Sequence, residues 1–158
     1  MPQPFLYREW VAGERLRVGG LVEYRADPTN RLHWKLYHPL QPGGDHQNLF
    51  VAPNKELEFV EEGDLALVVQ FFGPCEFPAI LRKGERVYRG DYERGMTLGT
   101  SLVSAGDGTG ALVPESRFIS TARVCGTANQ DMDLTDAEED GIVMLRTCLF
   151  NGKIAVAG

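Results

Sequence analysis

The stretch SLVSAGDGTGALVPE, residues 101–115, has the composition of a loop that could bind phosphate. A P-loop places Lys and then Ser or Thr directly after its last glycine, because the ammonium group contacts the phosphates and the hydroxyl binds magnesium. Here Ala111 and Leu112 follow Gly110, and no amphipathic helix follows that could direct its N-terminus at an anion. Asp-Gly between two extended apolar segments is typical of a hairpin tip. We therefore predict a β-hairpin at this position.

Acidic residues and histidines are the next candidates, as metal ligands. Residues 131–140, DMDLTDAEED, begin like a calcium-binding loop. The sixth position, where a glycine makes the sharp turn, is Asp136, and the twelfth is not the bidentate Glu of such loops. His33, His38 and His46 lack the spacing of a zinc site, and we interpret them as loop and surface histidines. The sequence predicts no metal and no cofactor.

No group of residues forms a recognisable catalytic motif. No Ser lies in a GxSxG elbow, and Cys75, between Pro74 and Glu76, has no base at a characteristic spacing. Cys75, Cys125 and Cys148 stand far apart without a CxxC pair, so we expect buried free thiols in a reducing compartment. We predict that the protein is not an enzyme.

Length and charge narrow the classes of protein further. A chain of 158 residues suits one domain with its own core. The formal net charge of −6 and the pI near 5.1 argue against direct nucleic-acid binding, which usually needs a basic face. Residues 1–10 lack the pattern of a signal peptide, and the apolar run over residues 65–72 is too short to cross a bilayer. We expect a soluble protein that is made in a cytoplasm and has no membrane partner.

Strand patterns run through most of the chain. In RLHWKLY, residues 31–37, Leu32, Trp34 and Leu36 alternate with polar residues, which is the period of a half-buried strand. The nearly continuous apolar run of residues 64–72 predicts a central strand covered on both faces. The predicted strands are 21–25, 31–37, 49–53, 56–60, 64–72, 117–125, 141–150 and 153–158. We predict a mainly β fold, a single β-sandwich or β-barrel-like domain.

One short helix is predicted over residues 134–141, LTDAEEDG. Thr135 stands at an N-cap position, Glu138 has the spacing of a capping box, and Gly141 is a stop signal. We assign residues 21–158 to the β-rich domain and residues 1–20 to an extended N-terminal arm.

The predicted arm carries large apolar side chains beside two prolines. These are Phe5, Leu6, Tyr7 and Trp10, and their spacing has no clear period. Exposed aromatic residues on an extended segment often anchor to a partner surface, where the segment can add a strand to a sheet edge. We list all four as candidate partner contacts and expect the arm to reach a neighbouring subunit. The alternative left open is that the arm folds onto its own domain.

A run of basic residues over 81–94 is the second candidate contact surface. Arg82, Lys83, Arg86 and Arg89 lie in it among acidic residues. Such a cluster could pair with an acidic partner subunit. The alternative is that it forms the solvated face of a hairpin.

The second half of the chain resembles phage capsid decoration proteins, also called cement proteins. The resemblance covers about residues 75–150 and lies in LRKGERVYRGDYERGMTLGTSLVSAGDGTGALVPE and ARVCGTANQDMDLTDAEEDGIVMLRTCLF. Its order is a Lys-Gly turn, a Gly-rich strand, a Gly-Asp-Gly hairpin, a short VCGTA strand, an acidic loop and a final apolar strand. It implies a β-rich virion protein that sits on the capsid exterior as a homotrimer, binds the major capsid protein and stabilises the shell. It implies no catalytic residues.

Two other classes of function stay open. The first is a small β-barrel enzyme or ligand-binding domain, with a pocket lined by Trp34, Tyr37 and Phe72. The second is a carbohydrate-binding module that uses Trp10 and Trp34 as stacking platforms. An enzyme needs a concave pocket with convergent polar groups, whereas a cement protein needs a surface for self-association.

Overall fold

Strands make up nearly all of the regular structure. The computed structural model describes residues 4–41, 49–54, 56–91, 93, 95, 98–115 and 124–147. Within these ranges the chain forms fourteen β-strands and no α-helix, which confirms the predicted mainly β class. The same ranges contain no helix with the length and apolar character needed to span a membrane.

The strands fall into an N-terminal and a C-terminal set of seven. The first set is β1 (Phe5–Val11), β2 (Leu16–Arg17), β3 (Leu21–Asp27), β4 (Asn30–Tyr37), β5 (Leu49–Val51), β6 (Phe59–Val60) and β7 (Leu65–Phe71). The second set is β8 (Glu76–Leu81), β9 (Arg86–Val87), β10 (Ser101–Ser104), β11 (Leu112–Pro114), β12 (Val124–Ala128), β13 (Met132–Asp133) and β14 (Gly141–Thr147).

The N-terminal set forms a five-stranded antiparallel sheet in the order β1-β7-β5-β3-β4. Its two outermost strands meet at one end, where Ala12 forms a parallel bridge with Leu36. The Gly13 amide donates a hydrogen bond of 2.8 Å to the Leu36 carbonyl there. We call this unit the curled sheet, because its edges come together without closing along their whole length.

The C-terminal set forms a closed barrel in the order β10-β11-β8-β14-β12. Its pairs are antiparallel except β11 with β8, which run parallel at Leu112 and Leu81. Two short ribbons, β2 with β6 and β9 with β13, complete the described architecture.

One apolar core is shared by the curled sheet and the barrel. All five barrel strands contribute to it, and Leu21, Phe50, Val69 and Phe71 of the curled sheet pack against the same cluster. The rings of Phe50 and Phe71 lie 4.9 Å and 5.3 Å from that of Phe77 in β8. A second cluster, which includes Leu16, Leu36 and Val68, fills the inside of the curled sheet. The two units therefore cannot separate without exposing a common core.

Strand β7 is central, as its sequence predicts, but only its second half is covered on both faces. Ala66 and Val68 point into the curled sheet, and Val69 and Phe71 belong to the shared core. Leu65 and Leu67 lie on the outer face ahead of the barrel contact and are exposed.

The predicted hairpin at residues 101–115 is present. β10 and β11 pair antiparallel, with Val103 opposite Val113. Gly106, Gly108 and Gly110 between them have φ of 66°, 80° and 76°, the left-handed region that side chains disfavour. The glycines that suggested a phosphate loop therefore make the turn.

The predicted helix over residues 134–141 is wrong, since this segment forms turns. The backbone of Leu134 is already engaged, because its amide donates to the Glu85 carbonyl and its carbonyl accepts from the Gly84 amide. Asp133, rather than Thr135, supplies the side chain that organises the turn, as it accepts from the Thr135 amide and hydroxyl. Hydrogen bonds to the turn at Gly84 and Glu85 thus form in place of helical backbone bonds.

The N-terminal segment does not form a separate arm in its described part. Phe5–Val11 is β1, which pairs along its whole length with β7 of the same chain. Leu16–Arg17 pairs with β6. Phe5 packs against the shared core, and Trp10 packs against the inner cluster of the curled sheet. The two ends of β1 thus pack on opposite faces of the sheet while its middle is exposed, so its aromatic residues show no single hydrophobic period.

Some sequence predictions fall outside the described residues. They are the strand at 153–158, most of the strand at 117–125, His46 and Cys148.

Replacing Gly126 tests the close packing of the barrel. A methyl group at Gly126 would overlap the Arg146 carbonyl of β14, a backbone group that cannot rotate away. We expect Gly126→Ala to lower the free energy of unfolding by about 1–3 kcal/mol, the usual effect of overpacking. Urea unfolding measures this change. The matched control is Thr127→Ala on the same strand, and equal losses from both variants would contradict the assignment.

Candidate functional site

The tip of the β10–β11 hairpin is a joint between the barrel and the curled sheet. The Gly108 amide donates to the Pro39 carbonyl, and the Gly110 carbonyl accepts from the Leu21 amide, both at 3.0 Å. Arg17 donates from Nη1 to the Thr109 carbonyl at 3.1 Å. The polar groups of the tip are thus engaged in structural bonds.

Side chains within the tip engage further amide donors. Asp107 accepts from the amide and the hydroxyl of Thr109. The Gly106 amide donates to Ser104 Oγ, and the Ala111 amide donates to Thr109 Oγ1. A phosphate-binding loop needs free amides that converge on one point. Here the backbone amides donate the hydrogen bonds that hold the turn.

His38 lies in the loop after β4, as predicted, but it is buried, so its interpretation as an exposed histidine is wrong. It is only 2% exposed. Its Nδ1 lies 2.8 Å from the Leu21 carbonyl, and its Nε2 accepts from the Arg17 amide at 3.1 Å. Because a carbonyl can only accept, Nδ1 carries the proton and the ring is neutral. His33, by contrast, is exposed on β4.

The surroundings of His38 leave no space and favour the neutral ring. A side chain at Gly20 or Gly110 would collide with the imidazole. Burial lowers the pKa of His38 below its ordinary value, because the charged form loses its hydration. The hydrogen bond to the Leu21 carbonyl and the charge of Glu14 oppose this shift.

Asp140 connects three separate segments. Its Oδ2 lies 2.9 Å from Arg17 Nη1, and its Oδ1 accepts from the Lys83 amide at 2.8 Å. The Arg17 and Asp140 side chains are 28% and 18% exposed, so this ion pair is screened less than a surface pair. We call Arg17, His38, Thr109, Gly110 and Asp140 together the junction.

The basic run and the acidic loop neutralise one another within this chain. β9 pairs with β13, which places Arg86 Nε 3.7 Å from an oxygen of Asp133. The bonds from Thr135 lower the pKa of Asp133, and Arg86 contributes in the same direction. The Arg89 amide donates to Asp131. The acidic groups that contact this basic run in the structure thus belong to the same chain.

Arg82 and Lys83 sit at the base of the same turn. Arg82 lies 3.4 Å from the buried Glu85 and 4.0 Å from Asp107. Lys83 is exposed, and its backbone amide is bound by Asp140. Among the described residues no three histidines, cysteines or carboxylates converge as a metal site would require.

Trp34, Tyr37 and Phe72 do not line a common pocket, as the alternative of a ligand-binding domain would require. Trp34 and Tyr37 are three positions apart on β4, and alternate residues of a strand face opposite sides. Tyr37 is 7% exposed and lies beneath the Arg25 guanidinium, 4.2 Å from its ring centre. Phe72 follows the far end of β7 and is exposed.

Trp10 and Trp34 do come together, through a residue that the sequence analysis did not single out. Tyr24 stacks on Trp10 at 4.1 Å with an interplanar angle of 13°. The Trp34 ring lies 5.6 Å from that of Tyr24, at an interplanar angle of 49°. We call these three residues the aromatic cluster. The signal was the shared period of residues 21–25 and 31–37, which places Tyr24 and Trp34 on the same face of two neighbouring strands.

The remaining N-terminal contact candidates differ in exposure. Phe5 is half-buried against Phe71, with ring centres 6.4 Å apart. Leu6 and Tyr7 are 48% and 59% exposed. The structure thus leaves Leu6 and Tyr7 accessible and places Phe5 in the core.

An apolar groove lies on the outer face of the curled sheet. Its volume is about 420 Å³, and its lining includes Leu57, Val60, Leu65 and Leu67. All three of these leucines are exposed: Leu57 by 51%, Leu65 by 63% and Leu67 by 46%. A contiguous patch of exposed leucines often marks a surface that binds another molecule.

Both described cysteines are free thiols. Cys125 is buried in the shared core, whereas Cys75 is only half-buried. The Cys75 amide donates to Thr147 Oγ1, which ties the β7–β8 connection to the end of β14. The expectation of buried thiols holds for Cys125.

Comparison with known proteins finds likeness in structure alone. No protein-family model matches this sequence, and no curated protein sequence matches it. Among solved structures, the chain is similar to the N base of the head fiber protein gp8.5 of bacteriophage phi29. The fold is shared. The TM-score is 0.56 at 17% sequence identity, over 95% of this chain and 99% of that chain.

The pH dependence of stability tests the role of His38. Its pKa is lowered in the folded state, so the unfolded chain binds the proton more tightly. The stabilisation is present above the ordinary histidine pKa of about 6.5 and is lost as pH falls through the folded pKa. We expect urea unfolding to show a loss of stability below about pH 6.5. His38→Gln, which cannot titrate, should flatten this part of the curve.

His33→Gln is the matched control, because His33 is exposed on β4. It should leave the pH curve unchanged. Parallel curves for the native protein and His38→Gln would show that the junction histidine does not set the acid sensitivity.

Proposed function

We propose that this protein is a structural component of a phage virion that binds the outer surface of the major capsid shell and stabilises it as a homotrimer. The observation that carries the proposal is the likeness to the phi29 head fiber base, which extends over nearly the whole of both chains. The order of turns and strands in the second half, which resembles cement proteins, supports the same class. The proposed location is the exterior of the capsid.

The use of polar groups in the fold supports a structural role. Three described side chains of types used in catalysis or ligand binding form structural bonds, since His38 and Asp140 hold the junction and Asp133 organises a turn. A clamp on a shell under pressure needs a rigid body, and a core shared by two β units supplies one. We propose no catalytic activity, no cofactor and no direct contact with nucleic acid.

The apolar groove is the surface that we propose for the trimer contact. Leu65 and Leu67 lie on the outer face of β7, Leu57 lies in the loop between β5 and β6, and all three are exposed. Fully burying one such side chain contributes about 1.5–3 kcal/mol. Repetition of a modest contact around a closed ring, and then over many capsid positions, yields a large total stabilisation.

A carbohydrate-binding module is the second candidate, favoured by the aromatic cluster. Trp34 is 51% exposed beside Tyr24 and Trp10, and an accessible indole can stack on a sugar ring. The parallel stacking of Trp10 on Tyr24 leaves their faces covered by each other, which favours a packing role for that pair.

Co-sedimentation with capsids tests the main proposal. Heads from the virus that encodes this chain, prepared without it, should bind the purified protein at saturable positions and should then resist heat better. Cryo-microscopy of the decorated heads should show threefold density on the outer surface. Failure to bind intact heads, with the protein folded, would contradict the proposal.

Analytical ultracentrifugation tests the trimer and the groove. The protein should sediment at three times its monomer mass of 17.5 kDa, in solution or when released from heads. Leu67→Glu places a charge in the groove and should weaken association at least about tenfold, or 1.4 kcal/mol. The matched control is Ile142→Glu, a residue that is 54% exposed on the barrel, and it should leave the mass unchanged. A native protein that stays monomeric free and on the capsid would contradict the trimer.

A further inference from the structure

A closed trimer needs two different contact surfaces on each copy. A surface that pairs with itself generates a twofold dimer, whereas a ring forms when one surface of each copy meets a second surface of the next. The apolar groove proposed above for the trimer contact is therefore one half of the interface. The other half has to be a separate surface of the same chain.

The β3–β4 hairpin carries a surface of this kind, because its outer part pairs only with itself. Among the described residues, β3 pairs with β5 only at Leu21 and Val22, and β4 pairs with β1 only at the bridge of Leu36. Residues 28–34 are all exposed. This part of the hairpin therefore extends beyond the curled sheet, and we call residues 23–35 the protruding hairpin.

Two apolar side chains of the protruding hairpin point to the same face. Leu32 and Trp34 are two positions apart on β4, and they are 89% and 51% exposed. Trp34 lies beside Tyr24, which stacks on Trp10 of β1. We call Leu32 and Trp34 the hairpin patch. It offers a convex apolar surface, as the concave groove requires of its occupant.

The hairpin patch and the groove have charges of opposite sign on their own faces. Arg8 lies on the same face of β1 as Trp10, 5.8 Å from its ring centre, and so shares the face of the hairpin patch. Glu9 lies directly opposite Leu67 in the β1–β7 pair, which places it on the face of the groove. Glu56 lines the groove itself. All three charged side chains are exposed, and none forms an ion pair with another described residue.

These charges favour contact between unlike surfaces. Two grooves brought face to face would place the carboxylates of Glu9 and Glu56 near those of the other copy, and two hairpin patches would bring together two Arg8 side chains. A hairpin patch against a groove instead places a cation of one copy near carboxylates of the next. Arg31 lies on the other face of β4 and would remain outside this contact.

We propose that the hairpin patch of one copy inserts into the apolar groove of the next copy, and that three such contacts close the ring. Leu32 and Trp34 would cover the exposed leucines of the groove, and the removal of this apolar surface from water would drive association. Arg8 would select this pairing over contact between two copies of the same surface. The inference rests on the proposed homotrimer and names the surface that fills its groove.

The first test compares two neighbouring positions on the protruding hairpin. Leu32→Gln removes an apolar side chain from the hairpin patch, whereas His33→Gln changes the opposite face of β4. Both side chains are exposed, so both variants should fold as the native chain does. We expect analytical ultracentrifugation to show association at least about tenfold weaker for Leu32→Gln, and unchanged association for His33→Gln.

The second test mixes two variants that each lack one surface. Leu32→Glu disables the hairpin patch and Leu67→Glu disables the groove, so each variant alone should be monomeric. In a mixture, the intact groove of the first variant can still accept the intact hairpin patch of the second. We expect dimers with one copy of each variant and no trimers, as measured by native mass spectrometry with one variant isotopically labelled.

The third test reverses the charges. Arg8→Glu should weaken association, because it places a carboxylate beside those at the groove. Glu56→Lys introduced into the same chain should recover part of the loss, since each contact then has an opposite pair again. Ultracentrifugation of the single and double variants measures both effects, and equal association of Arg8→Glu and the native chain would contradict the selecting role of Arg8.

The outcomes separate the inference from the proposed function. A native trimer that Leu32→Gln leaves intact, or a mixture that stays monomeric up to the limit of solubility, would overturn the inference and leave the homotrimer standing. A native chain that is monomeric both free and on the capsid would contradict the homotrimer and the inference with it. Quenching of Trp34 fluorescence by oligosaccharides, with Leu32→Gln still trimeric, would assign the exposed indole to glycans.

Discussion

The buried His38 imidazole is bonded at both nitrogens within the N-terminal half and packs against Gly110 of the barrel hairpin, at the place where the two halves meet. One nitrogen donates to the Leu21 carbonyl, and the other accepts from the Arg17 amide. A buried polar group without partners is strongly destabilising, so the chain around the ring has little freedom. Gly20 and Gly110 are needed because any side chain would occupy the space of the ring. The hairpin tip and the curled sheet are consequently held in one relative position.

Rigidity at the junction contrasts with the open edge of the curled sheet. Arg17 and Asp140 tie the barrel to one end of the sheet, near the point where β1 and β4 meet. On these same strands Tyr7 and Trp34 are accessible, so exposed aromatic groups lie on the curled sheet and structural polar groups lie at the junction.

Candidate basic residues of this chain form ion pairs with carboxylates of the same chain. Four basic residues were candidates for contact with an acidic subunit, but Arg82 and Arg86 have carboxylates of the same chain beside them. Exposed pairs of this kind contribute little stability individually. Their effect here is to align the β9 and β13 ribbon with the turn before it. Lys83 and Arg89, the other two candidates, are bound to acidic residues only through their backbone amides.

The sequence by itself determined what depends on near neighbours. Strict alternation over residues 31–37 encoded β4, the Gly-Asp-Gly cluster encoded a hairpin, and the absence of Lys after Gly110 excluded a P-loop. Only the tertiary structure decided what depends on distant partners. His38 is buried because Gly110, far along the chain, leaves space for it, and the Leu134 carbonyl that a helix would use accepts from the Gly84 amide instead. Local periodicity states which face a residue occupies, whereas the burial of a polar group and the partner of a strand edge depend on segments remote in sequence.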